Sequence, residues 1–99
     1  MELRFARSAI DDLQAIQIYY KEQGVPQIGE QFVRAILDHS TMLSQHPDVG
    51  RLVPEFNQAN IRELIHPPFR IVYLRQVTEL IIIRVWRGER LLELPTEML

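Results

Sequence analysis

The chain reads as an α+β domain of order β-α-α-β-β-β, an antiparallel sheet with a two-helix hairpin packed on one face. Three observations predict this: apolar residues recur at helical spacing through the first half, the period changes to two after Asn60, and glycine and proline fall where elements must break.

The stretch "ELRFA" alternates and makes a short first strand, with Leu3 and Phe5 on one face. Ser8 is placed to cap a helix running to Gln23. Asp11 and Asp12 face the positive end of its dipole, and Ala9, Leu13, Ile16 and Tyr20 form its apolar stripe. Gly24 stops it. Pro26 is tolerated in the next first turn, and Ile28, Phe32, Ala35, Ile36, Met42 and Leu43 carry a second stripe until Pro47 ends it. So short a connection lays the helices antiparallel. After an irregular stretch marked by Gly50 and Pro54, "IRELI", "FRIVYLR" and "LIIIRVW" read as three strands joined by "HPP" and "QVTE", which an antiparallel meander satisfies most simply.

Parity assigns the faces. In the last strand Ile81, Ile83 and Val85 form the more apolar set and are expected inward, leaving Arg84 and Trp86 outward together; a single bulge would invert this. In the strand before it Phe69, Ile71 and Tyr73 point in, so Arg70 shares the outward face. That face is expected to be partly bare and to carry guanidiniums above an apolar floor, in the manner of a docking surface.

Composition narrows the function classes. The 99 residues, 46% of them hydrophobic, suffice for one core, so residues 1–99 are treated as a single domain. There is no cysteine, which excludes disulfides, thiolate metal sites and a cysteine nucleophile and fits a reducing cytoplasm. His39, His46 and His66 show no ligand spacing with carboxylates, and neither a metal nor a cofactor is expected. His66 reads as a surface turn residue, and His39 as a border residue of the second helix. The N-terminus lacks the pattern of a secretory signal, and the aliphatic run Leu80 to Ile83 is too short to cross a bilayer; a soluble cytoplasmic protein is expected. The first fifty residues carry a charge of −3 and the rest +1. Nearly all positive charge is arginine, ten against the single Lys21, which favours recognition over proton transfer.

The fragments "GRLVPEF" (Gly50 to Phe56), "IREL" (Ile61 to Leu64), "FRIVY" (Phe69 to Tyr73) and "RVWRGERL" (Arg84 to Leu91), preceded by "AIDDLQAIQIYY", resemble the RelE/ParE superfamily of toxins from type II toxin-antitoxin modules. The resemblance covers nearly the whole chain in order. It implies a small toxin neutralised by a cognate antitoxin, ParD-like or other, with operator DNA reached only through that antitoxin. RelE-like members cut messenger RNA on the ribosome; ParE-like members poison DNA gyrase.

Residues divide the two branches. RelE-like sequences supply lysines on the strand before the "YRLVY" motif, an arginine within it, another arginine after the last strand, and a tyrosine or histidine in the tail. Here Arg70 matches the motif arginine, and Arg87 and Arg90 could stabilise charge. Yet Ile61 to Leu64 contains no lysine, no tyrosine follows Tyr73, and no histidine follows His66. An arginine hardly deprotonates, so it is a poor proton shuttle for attack by a 2′-hydroxyl. An isoelectric point near 5.9 is also unlike a protein built to enter ribosomal RNA.

The resemblance is therefore closer to the ParE branch, with target and antitoxin contacts expected at Arg62, Arg70, Arg84, Trp86, Arg87, Arg90, Leu91 and Leu92. The alternatives are a ribosome-dependent endoribonuclease using Arg70, Arg87 and Arg90, and a non-toxic antitoxin-binding member. Plainer readings stand beside these: Trp86 as a tryptophan covering the sheet, the arginines as a solvated face paired with Glu63, Glu79 and Glu93, and Arg51 pairing with Glu55 to hold its loop. Oligomeric state is left open by the sequence.

Overall fold

The computed structural model describes residues 1–88. The elements are β1 (Glu2–Phe5), α1 (Arg7–Glu22), α2 (Pro26–Ser40), a 3-10 turn (Thr41–Ser44), β2 (Arg51–Leu52), β3 (Ile61–His66), β4 (Phe69–Arg75) and β5 (Glu79–Arg87). Among the described residues the strands form one five-stranded sheet in the order β1-β5-β4-β3-β2.

The α+β class and the element order are as expected, with two refinements. A short β2 forms in the connection expected to be irregular, pairing Arg51 with Glu63 and Leu52 with Arg62. The sheet is mixed rather than wholly antiparallel, because β1 runs parallel to β5, with Leu3 opposite Leu80 and Phe5 opposite Ile82. β1 leads straight into the helix hairpin that covers the sheet. The chain then returns through the meander, and a strand joined to its neighbour by such a crossover can lie parallel.

One face of the sheet holds the main core. Ala9 and Leu13 of α1, Ile36 of α2 and Leu43 of the 3-10 turn pack on Leu64, Phe69, Ile71, Tyr73, Leu80, Ile82 and Val85. The hairpin turns at Gly24, whose φ of +80° is the left-handed conformation that glycine adopts without strain. Pro26 opens α2 as expected, and the helix ends in the 3-10 turn before Pro47.

The expected cap of α1 is corrected. Ala6 precedes the helix without a side-chain cap, and the Ser8 hydroxyl instead donates to the Ile83 carbonyl at 2.5 Å. β5 also departs from simple alternation. Its register with β4 shifts between Val72 and Tyr73, so that Arg84 faces Val72 while Ile82 faces Tyr73, leaving Ile83 as the extra residue. Leu80 and Ile82 therefore point inward, against expectation, and Ile83 does not. Val85 inward, with Arg84 and Trp86 on the opposite face, agrees with the parity reading.

The second face is less bare than expected. The segment after β2 folds over it, with Val53 and Val72 fully buried and Arg70 only 8% exposed. Gly50 anchors that segment. Its N–H donates to the Tyr73 hydroxyl at 3.0 Å, and that hydroxyl donates to the Pro47 carbonyl at 2.9 Å. Burial raises the Tyr73 pKa, so the phenol keeps the proton it donates.

His39 and His66 are neither border nor surface residues acting alone. Their Nδ1 atoms lie 2.9 Å apart, joining α2 to the end of β3. Burial, and then the neighbouring charge of His39, lowers the His66 pKa below its ordinary value.

Candidate functional site

The expected site residues do not share one surface. Arg70, Arg84 and Trp86 belong to one side of the sheet, whereas the register places Arg62 beside Tyr73, and Arg87 beside Phe69, on the helix side. Arg90, Leu91 and Leu92 lie outside the described residues.

Arg70 is a structural ion in this fold. Its Nη1 and Nη2 donate to the two carboxylate oxygens of Glu55, both at 2.9 Å, and its Nε donates to Glu63. The fork geometry suits arginine and not lysine. Burial alone would lower the Arg70 pKa, but the hydrogen bonds it donates to Glu55 and Glu63 outweigh it and leave the pKa raised. The same contact, chiefly the Arg70 hydrogen bond, lowers the pKa of Glu55. Arg51 closes the network on Glu63 at 2.7 Å, rather than pairing with Glu55 as expected. The four side chains fasten the covering segment to the sheet. The face expected to be solvated at Arg70 is thus an internal salt-bridge layer.

Arg62 is also engaged locally. Its Nη1 donates to the Gly50 carbonyl at 2.9 Å, and its buried Nε has no hydrogen-bond partner among the described residues. In this position Arg62 supports the loop.

The far end of β5 is different. β1 stops pairing at Ile82, and the start of α1 takes over the strand's flank. Ala6 donates to the Ile82 carbonyl at 2.9 Å, Ser8 to Ile83, and the Val85 N–H donates to Asp12 Oδ2 at 2.9 Å. Asp12 also accepts from Arg84, Nε to Oδ2 at 2.8 Å and Nη2 to Oδ1 at 3.0 Å. One carboxylate thereby satisfies a strand N–H and orients a guanidinium. The Arg84 guanidinium lies over the Trp86 ring, 5.1 Å from its centroid. Trp86 in turn meets Phe56 of the covering segment at 6.1 Å.

On the helix side, Arg87 Nη1 donates to the Tyr20 hydroxyl at 3.2 Å, and its guanidinium sits over Phe69 at 5.5 Å. Tyr20 stacks on through Phe32 to Phe69, at 5.5 and 5.1 Å. Between α1 and this strand end lies a groove of about 420 Å³, lined by Asp12, Ile16, Tyr19, Tyr20, Trp86 and both arginines, with Phe69 and Val85 in its floor. Tyr19 stands 52% exposed at its rim.

The arrangement is suited to gripping. Two cations are seated on aromatic rings and held by a carboxylate and a phenol, so little rotamer entropy remains to be lost on contact. Trp, Tyr and Arg are also the side chains that dominate binding energy at interfaces. Among the described residues no group of three or more His, Cys, Asp or Glu could hold a metal ion, and no helix is long and apolar enough to cross a membrane.

Asp12 and Tyr20 are the members that sequence reasoning missed. Both were accounted for locally, Asp12 by the helix dipole and Tyr20 by the apolar stripe. Their partners are distant in sequence, Arg84 and Arg87, and no local signal links them.

Comparison with known proteins identifies the family and the fold. No curated protein matches the sequence. Among solved structures, a chain of "Chromosomal ParDE TA system from P. aeruginosa" is 27% identical, with a TM-score of 0.75, over 88% of this chain and 95% of that one. The family model for the ParE toxin of the type II toxin-antitoxin system parDE matches residues 3–92. With that match spanning nearly its whole length, the chain belongs to the ParE toxin family.

Proposed function

We propose that this toxin acts by holding a protein, with DNA gyrase as the target, and that a cognate antitoxin silences it by covering part of the same strand end. Operator DNA is then reached only through the antitoxin. The observation that carries this reading is the occupation of Arg70. The arginine matching the nuclease motif has its guanidinium taken up by Glu55 and Glu63, under a covering segment, and so is withheld from a phosphate. The cations at the groove, Arg84 held by Asp12 and Arg87 by Tyr20, are backed by rings and suit a macromolecular surface.

The test is a supercoiling assay with purified toxin, gyrase and relaxed plasmid. Supercoiling should fail, or cleaved DNA should accumulate, and Trp86→Ala should weaken either effect. No effect at micromolar toxin would overturn the gyrase assignment. Codon-phased cuts in a message on programmed ribosomes, lost on changing Arg70, would establish the nuclease instead. Unchanged growth on induction without antitoxin would point to a non-toxic binding module.

A further inference from the structure

Away from the groove, two imidazoles from different layers meet. His39 projects from the last turn of α2, and His66 ends β3 beside the Pro67–Pro68 turn. Both are half-buried, with Nδ1 atoms 2.9 Å apart, ring centroids 5.1 Å apart and ring planes at 55°. In the hydrogen-bonded pair one Nδ1 carries a proton and the other accepts it with its lone pair.

We propose that this pair is a two-ligand site for a zinc-type divalent cation, the Nδ1 atoms supplying half of a tetrahedral shell and water the rest. The two facing Nδ1 atoms carry the assignment, and the spacing of the rings permits it. With zinc–nitrogen bonds of about 2.05 Å, and each ring centre about 1.15 Å behind its nitrogen, two imidazoles at the tetrahedral angle hold their centroids about 5.2 Å apart. The observed 5.1 Å, set by the hydrogen bond between the rings, already meets this requirement. Two imidazoles at right angles on a tetragonal ion would need centroids only about 4.5 Å apart, which copper(II) and nickel(II) sites favour. Moving the shared proton to Nε2 of the same ring frees both Nδ1 lone pairs, and pivoting each ring by about 35° about its own centre then makes room for the ion between them. The nitrogens then separate to about 3.3 Å with no movement of the backbone.

The bound ion would tie α2 to the β3–β4 turn. With two protein ligands the site is exchangeable and of micromolar affinity, far from a structural zinc that folding depends on. The inference does not rest on the proposed target, since both rings lie outside the β5 groove.

The experiment uses the full chain stripped with a chelator. Zinc titrated by calorimetry should bind one to one, and at tenfold excess over Kd should raise Tm by about 5 °C. Ring-nitrogen resonances of His39 and His66 should shift in the unaltered protein, which makes this readout independent of how any variant folds. His39→Gln and His66→Gln should each weaken zinc binding at least tenfold, whereas changing the exposed His46 to glutamine should not. No zinc binding in the submillimolar range, shifts confined to other residues, or binding unchanged in both variants would overturn the site.

Discussion

Replacing Arg70 with methionine separates a structural arginine from a functional one. The change keeps the length and apolar stem of the side chain and removes its charge. Arg70 is 9% exposed at the side chain, Glu55 10% and Glu63 fully buried, so the substitution strands two carboxylates. Breaking one partner out of a buried pair costs about 3–5 kcal/mol. The lower end applies here, because Glu63 keeps its bond from Arg51, whose side chain is 61% exposed and therefore a weaker, more screened partner. A loss of about 3 kcal/mol is a large share of the roughly 5–15 kcal/mol of a typical domain. It lowers Tm by about 15 °C and, with a urea slope of about 1.5 kcal/mol per molar, moves the midpoint by about 2 M. Adding Glu55→Gln and Glu63→Leu to Arg70→Met should return much of the stability, since no buried charge is then left alone. Urea and thermal melts followed by circular dichroism measure both. A variant with wild-type stability and lost activity would refute the structural assignment, and would put Arg70 back among the functional groups.

Gly50→Ala should destabilise by about 2 kcal/mol or more, because the new Cβ would fall 2.5 Å from the Tyr73 hydroxyl and 2.7 Å from the Glu63 carbonyl, in a wall that is largely backbone and fixed ring; a melt within 0.5 kcal/mol of wild type, roughly the surface-substitution range, would contradict that packing. For acid stability, the folded pKa of Glu55 is lowered from 4.5, so its contribution is fully present above about pH 4.5 and disappears as pH falls through the folded value. Glu55→Gln should therefore flatten the acid limb of a stability profile while leaving its slope above neutrality unchanged. Trp86→Ala should leave Tm within a few degrees, since the ring is only half-buried, yet reduce gyrase inhibition and antitoxin affinity by at least tenfold. Asp12→Asn should weaken both more mildly, by releasing Arg84 from its orientation while keeping an acceptor for the Val85 N–H.

The elements set by local chemistry were legible in the sequence. Helix stripes, the Gly24 stop, the Pro26 start and the regular alternation of Phe69, Ile71 and Tyr73 all reflect interactions within a few residues of one another. What depended on distant pairing was not. The parallel register of β1 on β5 has no local signature, and the bulge at Ile83 inverts half of a strand whose residues are all aliphatic, so hydropathy cannot mark it. The same limit acted at the site. Arg84 and Trp86 were readable as a pair from parity, while the partners of the arginines come from other layers: Asp12 for Arg84, Tyr20 for Arg87, and Glu55 with Glu63 for Arg70.

The two ends of the arginine set show how one residue type serves opposite purposes. At Arg70 the guanidinium meets two carboxylates in a nearly dry layer, and with Arg51 on Glu63 the charges of the network cancel locally. At Arg84 a single carboxylate also accepts a backbone N–H, so the cation is only partly compensated and its side chain stays 42% exposed. Desolvation decides the difference: a fully surrounded cation must be neutralised where it sits, whereas one seated on a ring keeps positive field for a partner to meet. The bulge at Ile83 makes this possible. It brings Val85 inward as core and leaves Arg84 and Trp86 outward beyond the point where β1 ends, so α1 can present Asp12 to that flank. Deleting Ile83 would restore simple alternation without moving either half of the strand, since Ile82 and Arg84 already face the adjacent Tyr73 and Val72, so Arg84 would stay on the outer face. Such a deletion should keep both Val85 in the core and the ring-backed cation, and take away the Ile83 carbonyl to which Ser8 donates.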